Sequence, residues 1–426
     1  MNGEPVMSAM RLGEAAAPRL AAARRSDPGA AGSLAVELSA LQSPTTRRRG
    51  IGRYALGWCR AVEEAAPGLI GRYVLDPGLP PLPGEAADLV ASGKVRYRDA
   101  SDALPAEVRV LHTFALLDLE VPLAQAWPDG PGEDLLRSVT VFDCIPALDP
   151  AVQLADPLQR RRYFARFQLC RAADQLEVLS ASVRRDLERL LGVPAGRIVL
   201  AGCAPDRRFV PPGRRDQARD AAIAATPGLE RPYVLAPSGS HPRKNNEALV
   251  RAWARLPERL LGSRQLVLTG SMPDEMQRHF HVLVDRLGID GGLVLTGDVE
   301  DEHLVQLVQG AELACIPSLA EGFGLPIAEA LACSTPVIAS DLAPFDELLP
   351  DRARFDPTSV PAITVALAGA LADTPASAVA GAPAGALAGA RGDAGERRPN
   401  SSPLVSWSDV GRTASTALTR LLARAG

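Results

Sequence analysis

The chain has 426 residues, of which 46% are apolar, and it carries 46 lysines and arginines against 50 aspartates and glutamates. This composition is that of an ordinary soluble globular protein of two or three domains, and a formal net charge of -4 provides no basic excess for nucleic acid. The six cysteines are widely separated, without a CxxC pair or histidines at metal-ligand spacing, which argues against a zinc site and predicts buried thiols in a reducing compartment.

The first 32 residues mix alanines with charged residues and lack the apolar core of a secretory signal. We interpret residues 1–32 as a disordered leader and expect a cytoplasmic protein. The longest weakly charged stretch, residues 357–390, consists mainly of alanine, glycine and proline, so it is a poor candidate for a membrane-spanning helix.

Residues 33–212 alternate short apolar runs with segments of helical periodicity. Strands are predicted at 34–41, 69–75, 108–112, 138–145, 176–180 and 198–201, and helices at 54–65 and 181–191 among them. This alternation is typical of the βαβ units of a doubly wound parallel sheet and predicts an N-terminal Rossmann-like domain. Residues 213–231 are polar and rich in arginine, and we interpret them as an interdomain linker with a short helix.

The same alternation begins again at residue 232. Strands are predicted at 233–236, 265–269, 293–296, 313–316 and 337–339, with helices at 246–256, 274–287, 302–310 and 326–333. A second domain of similar size, residues 232–405, would face the first across a cleft, so the predicted fold class is α/β with two Rossmann-like parallel sheets. Within it residues 374–403 are low in complexity and favour a loose helix or loop. Residues 406–426 have the apolar spacing of an amphipathic helix.

The segment 321–329 combines two carboxylates with two glycines where a strand gives way to a helix. Its glycines allow the backbone to approach a ligand closely, and the free amides of a helix start suit an anion. The candidate ligand-binding residues here are Glu321, Gly322, Phe323, Gly324, Leu325 and Glu329. A tight turn with two solvated glutamates is the alternative interpretation.

A second candidate segment, residues 238–245, follows the first strand of the second domain. Gly239 lies at the carboxyl end of this strand, where open α/β sheets bind ligands, and Arg243 and Lys244 follow it. An arginine can grip a phosphate with two donors, and a lysine supplies a compact charge. Because Lys94 and Lys244 are the only lysines of an arginine-rich chain, a lysine kept at this turn is a candidate for a chemical role. The alternative is a solvated basic turn that caps a helix.

Together these segments resemble family 4 of the glycosyltransferases, the retaining nucleotide-sugar enzymes of the GT-B fold. Glu321 and Glu329 match the E-x7-E signature of that family, and residues 242–245 match its PRKN turn. Gly50 and Gly52 match the Gly-rich loop of its first domain. The turn at 143–146, the helix start at 180–186 and the strand and turn at 197–209 also fit, so the resemblance extends over most of residues 34–338.

The resemblance implies that a nucleoside diphosphate sugar binds in the cleft as co-substrate, with no other cofactor. Arg243 and Lys244 would neutralise the diphosphate as it leaves, and the backbone amides of the Gly50 to Gly52 loop would add donors. Glu321 would face the donor sugar and Glu329 would accept hydrogen bonds from the ribose hydroxyls. The turn that contains Val299 would contact the base. No Asp-x-Asp occurs, which agrees with a metal-independent retaining reaction.

His112, Asp143 and Arg53 are the acceptor-side candidates that the resemblance provides. In the family the strand before the Asp143 turn usually ends His-Asp, whereas Phe142 precedes the aspartate here. His112 ends a predicted strand, and a role at the cleft and a purely structural role are both open. The expected function is transfer of a hexose, with mannose as the first guess, to a glycan or lipid-linked acceptor in polysaccharide biosynthesis. The alternative, which Phe142 favours, is a degenerate GT-B protein that binds a nucleotide sugar or a partner enzyme without transfer.

The remaining basic and histidine-bearing segments carry weaker signals. Five arginines at positions 160, 161, 162, 166 and 171 surround Phe164 and Phe167 in one predicted helix. A solvated face is one interpretation, and a patch for peripheral binding at the inner face of a membrane is the other. His279 and His281 do not have the spacing of a zinc site on one helix face, so we interpret them as surface residues. The sequence does not indicate an oligomeric state.

Overall fold

The computed structural model describes residues 33–47, 50–129, 135–372 and 404–425. The expected leader at 1–32 and the low-complexity segment at 374–403 lie outside these ranges. In the described part of the chain, no helix has both the length and the apolar character needed to cross a membrane.

The N-terminal half forms a parallel sheet whose central strands are buried because helices cover both of its faces. The seven strands described here have the spatial order β3-β2-β1-β4-β5-β6-β7. They are β1 (Leu34–Glu37), β2 (Ile70–Leu75), β3 (Val95–Tyr97), β4 (Val110–Thr113), β5 (Leu136–Val141), β6 (Gln175–Val178) and β7 (Ile198–Leu200). The helices are α1 (Ser39–Gln42), α2 (Gly50–Ala65), α3 (Ala87–Ala91), α4 (Leu123–Ala126), α5 (Ile145–Leu148), α6 (Pro150–Gln153), α7 (Pro157–Ala172) and α8 (Ala181–Leu191).

The C-terminal half repeats this plan with a parallel sheet in the order β10-β9-β8-β11-β12-β13. Its described strands are β8 (Tyr233–Pro237), β9 (Gln265–Thr269), β10 (Leu293–Gly297), β11 (Leu313–Ile316), β12 (Val337–Ser340) and β13 (Arg354–Phe355). The described helices, from the segment before β8 onward, are α9 (Arg215–Ala225), α10 (Asn246–Trp253), α11 (Glu258–Leu261), α12 (Asp274–Leu287), α13 (Asp301–Gly310), α14 (Leu325–Ala332), α15 (Val360–Ala372) and α16 (Trp407–Ala425). Two facing α/β sheets of this kind are the fold class that the sequence pattern predicted.

The last helix crosses back to the first half of the chain. Val410, Ala414, Leu418 and Leu421 of α16 are buried in the same core as helix α2. These residues recur every three or four positions, so one face of the helix is apolar, as its sequence predicted. Consequently α16 packs on the N-terminal sheet although it follows the C-terminal one. Helix α9, predicted as a short helix in a linker, packs against α13 of the second half.

Two of the predicted strands end earlier than expected. The run 34–41 is extended only as far as Glu37, because the Glu37 carboxylate accepts the amide of Ser39 at 2.6 Å and the chain turns into α1. The run 138–145 ends at Val141, and Ile145 begins α5. The short strands β3 and β13, of three and two residues, were not predicted.

The arginine-rich helix α7 does not present one basic face. Arg166 is only 4% exposed, and its guanidinium donates to the carbonyls of Val121 at 2.6 Å and Asp118. Phe167 is buried as well, at 2% exposure. Interpretation of all five arginines as one solvated or membrane-binding surface is therefore wrong, since one of them fixes a loop beneath the helix.

Candidate active site

The candidate site forms where the carboxyl ends of parallel strands in the second half meet the first half. Strand β8 pairs with β11 and with β9, so the segments that follow β8 and β11 emerge at the same edge of the sheet. The turn Pro242–Lys244 follows β8, and Glu321 follows β11. This shared edge is the physical reason that residues 77 positions apart come into contact.

Glu321 is held by two cations. Lys244 Nζ lies 2.7 Å from Glu321 Oε1, and Arg243 Nη1 lies 2.8 Å from Oε2. The Ser318 hydroxyl also donates to Oε1, at 2.8 Å. Burial alone would disfavour the charge of this carboxylate, but Lys244 and Arg243 outweigh burial and lower the Glu321 pKa to about 2. Glu321 is therefore a fixed negative charge, with a side chain only 11% exposed.

The side chain of Asn245 fixes the position of the basic turn Pro242–Lys244. Asn245 adopts a left-handed conformation with φ of 58°, which asparagine tolerates better than most residues. Its side-chain amide donates to the carbonyls of Pro317 at 3.1 Å and Pro357 at 2.8 Å. The Arg243 carbonyl accepts the amide of Leu319 at 2.7 Å. The turn thus has a defined position relative to the loop that carries Glu321.

Gly324 provides the sharp entry into helix α14. Its φ is 103°, which strongly favours glycine, and a Cβ at this position would lie 2.7 Å from the ring of Phe345. Leu325 then begins the helix, and the first amides of a helix have no partner in the preceding turn. Phe323 and Leu325 are partly buried against the core of the first half.

Glu329, one helical turn further, is buried and poorly partnered. Its Oε1 lies 3.5 Å from Arg53 Nη1, and it has no hydrogen-bond partner among the described residues. Burial raises the Glu329 pKa to about 7, and the charge of Arg53 opposes this increase. A buried carboxylate oxygen without a donor can accept a hydrogen bond from a ligand.

Arg53 does not lie where an acceptor-side residue was expected. Its guanidinium pairs with Asp301, at the start of α13, and reaches Glu329. Arg208 Nη2 binds the other oxygen of Asp301 at 2.7 Å. The structure therefore brings Arg53 to the carboxylates of the second half, not to Asp143.

The Gly-rich segment of the first half is helical, not a loop. Gly50 and Gly52 form the first turn of α2, and the amide of Gly52 donates to the Thr46 carbonyl at 3.1 Å. A Cβ on Gly52 would collide with the Arg47 backbone. The expectation that the Gly52 amide is free for a phosphate is not met here, and the glycine is required for packing. Gly50 faces Leu325, whose Cδ2 would lie 3.4 Å from a Cβ at that position.

Asp143 lies in the cleft beside Gly322. A Cβ on Gly322 would lie 2.7 Å from Asp143 Cβ and would collide with the Phe142 carbonyl oxygen. Burial raises the Asp143 pKa, while the amide of Ile145 and the charge of Arg243 oppose the increase and the charge of Glu321 adds to it. Asp143, Arg243 and Glu321 are thus close enough to influence one another across the two halves.

His112 does not reach the cleft. It is 0% exposed, its ring nitrogens lie 2.9 Å from Ser138 Oγ and 3.0 Å from Thr140 Oγ1, and it stacks on Trp58 with ring centroids 4.3 Å apart. Burial lowers the His112 pKa to about 3, so the ring is neutral. The acceptor-side assignment of His112 is wrong, because both nitrogens are already bonded inside the core. The structural role is the one observed.

Phe142, which replaces the histidine expected from the resemblance, packs edge-on against Tyr54, with ring centroids 5.5 Å apart. Trp407 approaches the same tyrosine at 5.8 Å, and its indole donates to the Pro205 carbonyl at 2.8 Å. A cavity of about 220 Å³ extends from Glu329 along α2 to Trp407. Tyr54 and Trp407 line this cavity, and Phe142 packs against Tyr54.

Gly239 follows β8, and Val299 follows β10, which β9 separates from β8. Gly239 has a φ of 129°, its carbonyl accepts the Asn246 side-chain amide at 3.0 Å, and the space where its Cβ would stand has no atom within 4 Å. Val299, after β10, is partly buried against the core of the second half. Neither residue contacts Glu321 in the contacts described here.

Sequence reasoning missed the contacts that connect the two halves. Ser180 Oγ donates to the Gly322 carbonyl at 2.7 Å, and Glu347 accepts the amides of Ala181 and Ser182. Asp301, the partner of Arg53, was not singled out either. A serine just before a helix signals an N-cap, but no local pattern indicates a partner more than 100 residues away.

In the described ranges, no cluster of three or more His, Cys, Asp or Glu side chains is arranged to hold a metal ion. All six cysteines are free and buried, as the sequence predicted. The charged side chains described at the cleft include Glu321 with its two cations, Asp143, and the pair of Arg53 and Glu329.

Two facing Rossmann-like sheets constitute the GT-B fold, and solved structures support this fold. HepE of Anabaena, solved with UDP and glucose, superposes with a TM-score of 0.60 at 15% identity, covering 80% of this chain and 90% of that chain. At this identity the similarity shows the fold alone.

Sequence comparison is more specific about the family. Residues 223–381 match the family described as glycosyl transferases group 1. The serotype-specific mannosyltransferase WbdA of Escherichia coli is 28% identical over 233 residues, 54% of this chain and 28% of that protein. The O-antigen chain mannosyltransferase B of Escherichia coli is 31% identical over 221 residues, 51% of this chain and 57% of that protein. The chain is therefore similar in sequence to group 1 glycosyltransferases and to mannosyltransferases, and it spans less than two thirds of the length of these relatives.

Proposed function

We propose that this protein is a retaining, metal-independent glycosyltransferase that moves a hexose from a nucleoside diphosphate sugar to a glycan or lipid-linked acceptor in polysaccharide biosynthesis. The observation that carries the proposal is the buried Glu321 carboxylate, fixed between Lys244 and Arg243 at the strand ends that line the cleft. A charged cluster at this edge of an α/β sheet is suited to an anionic ligand.

In the proposed reaction the acceptor hydroxyl oxygen bonds to the anomeric carbon while the bond from that carbon to the diphosphate oxygen breaks. The hydroxyl proton passes to the departing diphosphate, and attack from the same face retains configuration. Lys244 and Arg243 would bind the negative charge that grows on the diphosphate, which is where electrostatic stabilisation matters most. The amides at the start of α14 would add neutral donors.

Glu321 would position the donor sugar. Its pKa of about 2 means that it stays ionised and accepts hydrogen bonds from sugar hydroxyls, so it is not a general acid at neutral pH. Glu329 would bind the ribose hydroxyls through the oxygen that lacks a partner. Gly50, Gly239 and Val299 would line the donor site, and Asp143 would face the acceptor side.

GDP-mannose is the donor that we propose to test first, because the E. coli relatives are named as mannosyltransferases. The HepE structures contain UDP with glucose or UDP-glucose, which is the reason to test a uridine donor beside it. We expect the protein to act in the cytoplasm. If the acceptor is lipid-linked, we expect it to act at the inner face of the membrane.

A second candidate function is favoured by Phe142. With this residue packed on Tyr54, no histidine stands where the family usually has one beside the acceptor turn. A protein of this kind would bind a nucleotide sugar or a partner enzyme without transferring the sugar.

The deciding experiment is a thermal-shift and turnover screen of the full chain with GDP-mannose, UDP-glucose, ADP-glucose and dTDP-glucose, with and without EDTA. A bound donor stabilises the native state by about 2.7 kcal/mol at a hundredfold excess over Kd, so one nucleotide should raise Tm above the others. Nucleotide release with mannose oligosaccharides or a polyprenyl-linked glycan, unaffected by EDTA, supports the proposal. Stabilisation without release, with release restored in Phe142→His, supports the second candidate. No stabilisation by any donor contradicts the proposed transfer and favours the second candidate in its partner-binding form.

A further inference from the structure

Helix α8 begins at the edge of the cleft, and its own side chains cap only part of its N-terminus. Ser180 is its N-cap, and Ser180 Oγ accepts the amide of Val183 at 3.2 Å. The first turn of the helix contains no acidic residue, although an acid there is the usual complement to the positive end of the helix dipole. The amides of Ala181 and Ser182 therefore need partners from elsewhere.

The partner comes from the other half of the molecule. Glu347 follows the turn Ala343–Phe345, and its Oε2 and Oε1 accept the amides of Ala181 and Ser182 at 3.1 Å each. One carboxylate thus satisfies two helix-start amides at once and supplies the missing negative charge. Hydrogen bonds of this charge-assisted kind are stronger than neutral ones.

The same helix start is connected to the candidate active site. Ser180 Oγ, while it accepts from Val183, donates to the carbonyl of Gly322 at 2.7 Å. Gly322 follows Glu321, the carboxylate that Lys244 and Arg243 hold. Capping of α8 by Glu347 therefore places Ser180 against the backbone of the donor-binding segment.

We propose that Glu347 is a positioning residue that holds the two halves closed on the Glu321 segment by capping helix α8. When the cleft opens to admit a donor, both amides exchange Glu347 for water, and when it closes they recover it. The effect on turnover rests on the proposed glycosyltransferase function, whereas the effect on closure does not. Nothing in the contact requires Glu347 to touch the donor.

Closure is measured on the full chain by electron paramagnetic resonance distances between two spin labels. Gln168 on α7 and Arg278 on α12 are exposed and lie in different halves, so Q168C and R278C provide the label sites. The six native cysteines are buried, which directs labelling to the introduced thiols. Asp346, exposed and adjacent to Glu347, provides the matched control D346A.

We expect E347A to reduce the closed population relative to the open one by about tenfold, as loss of about 1.4 kcal/mol would. E347Q, which keeps an uncharged acceptor, should lie between E347A and wild type, and D346A should match wild type. The same distance distribution in E347A and wild type would overturn the proposal, whether or not the protein transfers sugar. Unfolding curves of E347Q and E347A verify that both variants are folded.

A second readout tests the positioning role. With a donor found in the screen above, E347A should lower kcat about tenfold while nucleotide affinity stays within about twofold of wild type. If E347A opens the cleft but leaves kcat unchanged, Glu347 makes only a structural contact and the positioning role is overturned. If no variant and no wild-type protein turns over, the proposed function fails while the distance measurement still decides closure.

Discussion

Lys244 Nζ lies 2.7 Å from Glu321 Oε1, and this pair connects the two sequence motifs that predicted the site. Replacing Lys244 by alanine should raise the Glu321 pKa from about 2, because the nearest cation is removed. It should also remove charge stabilisation from the departing diphosphate, which costs about 3 to 4 kcal/mol in comparable sites and corresponds to a 10²–10³-fold loss of kcat.

The other lysine provides the control for this variant. Lys94 Nζ pairs with Glu63 at 2.7 Å in the first half, away from the cleft contacts. K94A should therefore leave kcat unchanged within about twofold, because none of the described contacts joins Lys94 or Glu63 to the candidate site. Steady-state kinetics with the best donor measure both variants. Turnover of K244A close to wild type would remove Lys244 from the catalytic machinery.

Glu329→Gln should chiefly weaken nucleotide binding. The Glu329 carboxylate has a pKa of about 7 because of burial, so in the wild type the ionised acceptor becomes predominant only above neutral pH. We expect nucleotide affinity to rise more steeply between pH 6 and pH 8 in the wild type than in the variant, since glutamine does not titrate whereas the terminal phosphate of the nucleotide, with a pKa of about 6, titrates with both proteins. Calorimetry with GDP and UDP at both pH values measures this. Equal affinities of variant and wild type for both nucleotides would exclude Glu329 from the site.

Gly322→Ala should keep the cleft from closing. Its added methyl would collide with the Phe142 carbonyl oxygen across the cleft, whereas its φ is not in the left-handed region, so the local backbone can accept alanine. We expect a longer distance between the two labelled halves and a loss of kcat of at least about tenfold, with the second half still folded.

Gly369→Ala in helix α15 is the matched control, because a Cβ at Gly369 meets nothing within 4 Å. This change should stabilise the helix by about 0.5–1 kcal/mol and leave closure unaltered. If the distance between the spin labels in Gly322→Ala equals that in wild type, the close approach of Gly322 and Phe142 is contradicted.

The sequence patterns that correctly brought candidate residues into contact are those set by the sheet itself. Glu321, Arg243 and Lys244 follow neighbouring parallel strands, and parallel strands deliver their carboxyl ends to one edge. Spacing along the chain was therefore sufficient to place these residues together. Helical periodicity after a glycine-containing turn was likewise sufficient to place Glu329 on helix α14.

The errors have two physical causes. His112 ends a strand of the predicted type, but a strand with helices on both faces can bury a histidine whose nitrogens find hydroxyl partners. Arg53 was assigned to the acceptor side, and Glu347 was not singled out. The partners of both residues belong to the other half of the molecule, and the relative placement of two domains leaves no periodic signal in the sequence. Short strands such as β3 and β13 carry too few residues to show a pattern.

Glu177 provides a prediction about stability that is independent of the site. This residue of β6 is 0% exposed, its Oε2 accepts the Trp58 indole at 2.9 Å, and its Oε1 accepts the Gln175 side-chain amide at 3.3 Å. Burial raises the Glu177 pKa to about 7, against the lowering effect of these two hydrogen bonds. The folded state thus holds the proton more tightly than the unfolded state, whose glutamate has a pKa of about 4.3.

Because the Glu177 pKa is higher in the folded state, the free energy of unfolding falls as pH rises from about 4.5 to 7. Above pH 7 the folded state carries the full cost of a buried, ionised Glu177. Glu177→Gln mimics the protonated form, so it should match wild type at pH 5 and be more stable at pH 8.5 by on the order of 1 to 3 kcal/mol. Urea unfolding at the two pH values measures the difference, with the exposed Glu120→Gln as control. A change in free energy of unfolding that is the same at pH 5 and pH 8.5 would show that burial does not raise this pKa, because only a titrating Glu177 makes the difference depend on pH.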